Sequence, residues 1–121
     1  MTDELPAAVA QLLQATNTED RTLFLDAFTE DGVVDDWGRE FAGRARIAEW
    51  DAGENIGVHS RIEATSVRRA GDTVEFGVRV TGDGYNGGGT FTAELKGGKI
   101  ARTWHSEDWM TGLTQLGIVK P

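Results

Sequence analysis

The sequence predicts an α+β fold: three N-terminal helices packed on a strongly curved, mainly antiparallel sheet. Two observations carry this. Up to about residue 53 the apolar residues recur at helical spacing, with one short hairpin among them. From Val58 onward the period changes to alternation, with turn glycines between the runs. Length sets the scale: 121 residues make one domain, residues 1–121, with a single core.

Leu5, Val9, Leu12 and Leu13 form one apolar stripe, the first helix. Pro6 suits its first turn, where a missing N–H costs nothing. Asn17 is read as its left-handed stop, and Thr18 as the cap of a second helix. That helix buries Leu23, Phe24, Ala27 and Phe28 and ends at Asp31-Gly32. Val33 to Asp36 reads as a short strand, Trp37-Gly38 as a turn, and Glu40-Phe41 as the returning strand. Gly43 opens a third helix with Ile47 and Trp50 on one side, and Gly53 closes it.

Residues 58–69 form a strand of mixed parity. Val67 matches the face of Val74, while Val58 and Ile62 fall on the other count, which calls for a β-bulge between them. That bulge turns His59 away from the core. Val74, Phe76, Val78 and Val80 alternate with polar or small residues, as in a strand buried on one face. Phe91, Ala93 and Leu95 alternate likewise. Gly97-Gly98 is a two-residue hairpin turn that pairs Leu95 with Ile100 and Phe91 with Trp104. Trp104 then lies on the core face and His105 on the opposite one.

Composition excludes several functions. A net charge of −8 argues against nucleic acid, whose phosphates need a basic patch. The absence of cysteine removes disulfides and thiolate metal sites. No apolar run approaches a membrane span, and no secretory segment follows Met1, so a cytoplasmic location is expected. His59 and His105 are not spaced as a metal pair; no metal and no cofactor are expected.

Gly82-Asp-Gly84-Tyr-Asn-Gly87 matches the dinucleotide pattern GxGxxG, which requires a helix next. A strand pattern, Thr90 to Leu95, comes instead, so this stretch is a hairpin loop, with Tyr85 over the mouth of the fold. Asp35 and Asp36 point to opposite faces of a strand. Either both cap turns, or one is solvated and the other sits near Trp37 as a desolvated base. Trp104, His105, Glu107, Asp108 and Trp109 cluster where the last strand ends, which is the composition of a small-molecule pocket. Asp108 is either a proton-transfer group or the cap of a short helix.

Phe28 to Gly38, Phe41 to Trp50 and Phe91 to Ile100 resemble, in that order, three pieces of the nuclear transport factor 2-like superfamily of cone-shaped α+β domains. Trp104, Asp108 and Gln115-Leu116-Gly117 resemble the tail motif of its SnoaL-like, polyketide cyclase-like branch. That resemblance implies Asp108 as the acid/base of an intramolecular aldol closure. Ketosteroid isomerases of the same superfamily place a general-base aspartate at the position of Asp36. They also need a first-helix tyrosine, which this chain lacks. The implied protein is a homodimer with a pocket for a small hydrophobic molecule. It is either a cofactor-free cyclase or isomerase/dehydratase acting on a carbonyl compound through Asp108 and Asp36, or a non-catalytic binding or structural dimerisation domain. Trp37, Trp50, Trp104, Tyr85 and His105 are the expected pocket residues.

Overall fold

The computed structural model describes residues 4–36 and 38–105. Helices α1 (Ala7–Thr18) and α2 (Arg21–Asp26) come first, then strands β1 (Phe28–Asp36) and β2 (Arg39–Ala42). Helix α3 (Arg44–Glu54) runs into a 3-10 turn at Ile56–Val58. Strands β3 (Arg61–Ala70), β4 (Thr73–Thr81), β5 (Gly87–Lys96) and β6 (Lys99–His105) complete the order. The six strands form one curved sheet in the order β2-β1-β6-β5-β4-β3. All pairings are antiparallel except that of β1 with β6.

The helices cover one face of this sheet. Val9, Leu13, Phe24 and Ile47 from the helices meet Phe28, Val34, Val74, Phe76, Val78, Ala93 and Ile100 from the strands in one buried cluster. The alternation of β4 works as expected: Val74, Phe76 and Val78 are buried, and Glu75 and Arg79 are exposed. The bulge expected in β3 is present, with Thr65 as the extra residue between the Ala64–Val78 and Ser66–Gly77 pairs. It brings Ile62, Ala64 and Val67 to the core side together. His59 is 61 % exposed, but the bulge does not set its direction: β3 starts at Arg61 rather than Val58, and His59 sits at φ 56° on the end of the 3-10 turn that holds Val58.

Four local expectations are corrected. The left-handed stop of α1 is Glu19, at φ 54°, not Asn17. Asn17 is used elsewhere: its side chain bonds both the N–H and the C=O of Ile62, tying α1 to β3. The cap of α2 is Asp20, which accepts from the Leu23 N–H at 3.0 Å, rather than Thr18. Phe28 begins β1 instead of closing the α2 face. Finally, Leu95 pairs with Ile100 as expected, but Glu94 pairs with Arg102, leaving Ala101 as an extra residue. That bulge inverts the parity of the rest of β6. Thr103 takes the core-facing place opposite Ala93, Trp104 pairs with Thr92, and His105 pairs with Phe91.

Candidate functional site

The curved sheet and the helices leave a narrow hollow of about 50 Å³ between them. Its walls are mostly apolar: Leu12 and Leu13 of α1, Phe24, Phe28, Val34, Trp50, Ile62, Phe76 and Phe91. Phe24 and Trp50 stack with ring centroids 6.3 Å apart, as do Phe76 and Phe91 at 5.7 Å. Four polar residues border the space: Thr16, Asn55, Asp35 and Thr103. An apolar cleft with a few polar groups is the make-up of a small-molecule site.

Most of those polar groups are already engaged. Thr16 donates its hydroxyl to the Leu12 C=O at 2.9 Å. Asn55 donates to Thr16 Oγ1 at 3.3 Å and to Asp51 Oδ1 at 2.9 Å. Asp35 accepts from the Gly38 N–H at 2.8 Å and from Arg102 at 2.9 Å. Thr103, only 6 % exposed, differs: its Oγ1 is buried with no hydrogen-bond partner.

Behind the Trp50 wall lies an ionic cluster. Asp36, 3 % exposed, accepts from the Trp50 indole N–H at 3.3 Å and is ion-paired to Arg39. The same guanidinium reaches both Glu54 oxygens, at 3.1 and 2.5 Å. One cation therefore serves two acids. Burial pushes the Glu54 carboxyl above its ordinary pKa, and the nearby Asp36 charge adds to that, while Arg39 opposes it. Asp51, 1 % exposed, lies in the same last turn of α3 as Glu54 and accepts from Asn55 and from the Ile56 N–H at 3.3 Å, just past the helix end. Burial raises its pKa too, against the pull of those donors and of Arg21.

The sign of the Asp51 and Glu54 shifts sets a pH dependence. Each group holds its proton longer in the fold than in the unfolded chain, so stability falls as pH rises through the folded pKa. Glu19 and Asp26, lowered by their cationic partners, act in the opposite sense at lower pH. Asp51→Asn is expected to flatten the loss of stability as pH rises above the ordinary aspartate value, between about pH 4 and about pH 7. Urea midpoints of parent and variant at the two pH values check this; equal slopes would refute it.

The sequence-named site residues separate into groups. Trp50 lines the hollow, and Asp36 stands behind it. Trp104 is half-buried and borders the hollow although its register row is that of Thr92 and Asp35. Tyr85 does not border it: its hydroxyl donates to the Gly88 C=O at 2.8 Å, at the start of β5. Asp108 and Trp37 lie outside the described residues, as does the side chain of His105. Sequence reasoning missed Arg39, Glu54, Asp51 and Thr103. Arg39 had a readable signal, since a tight turn after Asp35-Asp36 brings Arg39-Glu40 back beside them. Glu54 had none. Among the described residues no group of three acidic or histidine side chains is placed to hold a metal ion, and no helix is long and apolar enough to cross a membrane.

Known structures share this architecture. A candidate polyketide cyclase from Sinorhizobium meliloti superposes with a TM-score of 0.75 at 25% identity, over 84% of this chain and 95% of that one. A Δ5-3-ketosteroid isomerase from Mycobacterium sp. gives 0.76 at 17% identity, over 87% and 93%. A Mycobacterium tuberculosis protein in complex with estradiol-17β-hemisuccinate gives 0.77 at 14% identity, over 87% and 95%. No curated protein sequence matches the chain. The model of the SnoaL-like domain matches residues 9–103, which spans α1 to β6, and the chain belongs to that family.

Proposed function

We propose that this protein binds a small hydrophobic molecule in the hollow between the helices and the concave face of the sheet. The observation that carries the reading is the wall itself: aromatic and aliphatic side chains from every layer converge on a space they do not fill. Among its fold neighbours, one is in complex with a steroid derivative and another is a ketosteroid isomerase, which supports an apolar ligand. The volume limits its size. Pockets for drug-sized ligands run to roughly 300–1,000 Å³, so this hollow takes a compact molecule or the head of a larger one.

A catalytic reading goes with it. Asp108 is then the acid/base residue that works on a bound carbonyl compound without a cofactor. Asp36 assists through Trp50, whose indole N–H it accepts. The acid pair Asp36 and Glu54 beside the wall favours this reading, because buried carboxyl pairs are a common source of proton-transfer groups. A cytoplasmic homodimer joined through the outer sheet face belongs to the same proposal.

Xenon titration followed by NMR tests the binding site without knowledge of the ligand. Xenon enters small apolar cavities. Shifts should concentrate on Leu12, Leu13, Val34 and Phe76, and Leu12→Phe should suppress them. Shifts scattered over the surface, or untouched by Leu12→Phe, would remove the binding site. Once a turned-over compound is known, Asp108→Asn should bind it as the parent does and fail to convert it.

A further inference from the structure

We infer that Thr103 is the ligand's hydrogen-bond donor, and that the hollow selects molecules presenting an acceptor oxygen on a compact apolar body, such as a ketone. This deepens the binding reading above and rests on it.

A buried hydroxyl without a partner is costly, because it has given up water and gained nothing in return. Valine has nearly the same shape and would carry no such cost. Yet a threonine stands at position 103 of β6, 6 % exposed, between Val34 of β1 and Ala93 of β5. Its Oγ1 has no partner and the residue borders the hollow. The other orphan buried side-chain atom among the described residues, Arg44 Nε, belongs to a residue that does not border it. Most of the remaining donors are committed: the Trp50 indole N–H goes to Asp36, and the Trp104 indole N–H is the one further side-chain donor on the described residues bordering the space. The Thr16 hydroxyl and both Asn55 amide hydrogens are spent on protein acceptors, and a carboxylate such as Asp35 offers no hydrogen when ionised. The Thr103 O–H, beside the Trp104 indole N–H, is therefore a donor set in an apolar wall. A carbonyl oxygen, which only accepts, is its complement.

The test uses a matched pair of small probes, acetone and isobutene, which differ by an oxygen in place of a methylene. Each is titrated by NMR into the parent, Thr103→Val and Thr103→Ser. Water solvates the ketone better, so the informative quantity is the ratio of the two affinities. A neutral hydrogen bond of ordinary strength predicts that Thr103→Val lowers the ketone-to-alkene ratio by about 3–10-fold. Thr103→Ser, which keeps the hydroxyl, should hold the parent ratio. Thr103→Val should also raise the urea midpoint of the empty protein. An unchanged ratio in Thr103→Val overturns the inference even if both probes bind. If neither probe enters the hollow of any variant, the binding reading itself fails.

Discussion

Arg39→Leu is expected to lower the unfolding free energy at neutral pH by about 3–5 kcal/mol, the usual cost of removing one partner from a buried ionic cluster. Arg39 holds two acids, Asp36 and Glu54, whose side chains are 4 % and 17 % exposed. Without it they face each other across the end of α3 with no cation between them. The charge, not the lost contact, sets the size of the effect. Glu54 already sits above its ordinary pKa with the guanidinium in place. In the variant it takes up a proton more readily still, so the deficit should shrink as pH is lowered from about 7 to about 5. Adding Glu54→Gln to Arg39→Leu should recover part of the loss. Urea denaturation of the single and double variants measures all three quantities. A deficit below about 1 kcal/mol, or one that grows on acidification, would show that the cluster is solvated and contributes like a surface pair.

Gly57→Ala should cost about 3 kcal/mol, near the upper end for overpacking. A Cβ at this position would lie 1.5 Å from the Ala52 carbonyl oxygen and 2.4 Å from its carbon. Those are backbone atoms of α3, so no side-chain rotation relieves the clash. The 3-10 turn at Ile56–Val58 would have to move away from the helix. Asn55 and the Ile56 N–H would then lose Asp51, and Thr16 would lose Asn55. Melting temperature reads the stability. The Thr16 and Asn55 resonances read the displacement at that end of the hollow. A variant with the parent's melting temperature would mean that the turn is free to shift.

Both effects arise where the chain's local signals stop. The sheet is legible because burial on one face writes itself as alternation: β4 shows it plainly, and the bulge in β3 follows from the parity conflict between Ile62 and Val67. The bulge at Ala101 leaves one mark that sequence reasoning missed: unbroken alternation from Ile100 to Trp104 sets the charged Arg102 on the core face. The bulge turns it to Asp35 and Glu40, while Thr103 takes the place that Trp104 reads into. Phe28 fits the spacing of the α2 stripe as well as the start of a strand, and its pairing with Ile100 comes from far along the chain. Asn17 and Thr18 both look like caps; that Asn17 is instead committed to Ile62 is a tertiary fact. For the site, Asp36 and Trp50 stand out separately in the sequence, and only folding sets the indole N–H against the carboxylate. Arg39 and Glu54 enter through the same folded geometry. An unpaired hydroxyl such as that of Thr103 has no sequence signature at all, because what marks it is a missing neighbour.

The placement of β6 bears on how the molecule assembles as it is made. The strand that emerges after the other five sits between β1 and β5. Until Lys99–His105 has left the ribosome, the β1–β2 hairpin and the β3–β4–β5 meander each present an open edge, and neither can join the other. Unpaired edges on a nascent chain invite pairing with other chains. Joining Ile100 to Phe28 also closes a long loop, which slows folding. The step that joins the two halves of this sheet thus waits for β6 and reaches far along the sequence, and before it both halves stand with an edge unpaired.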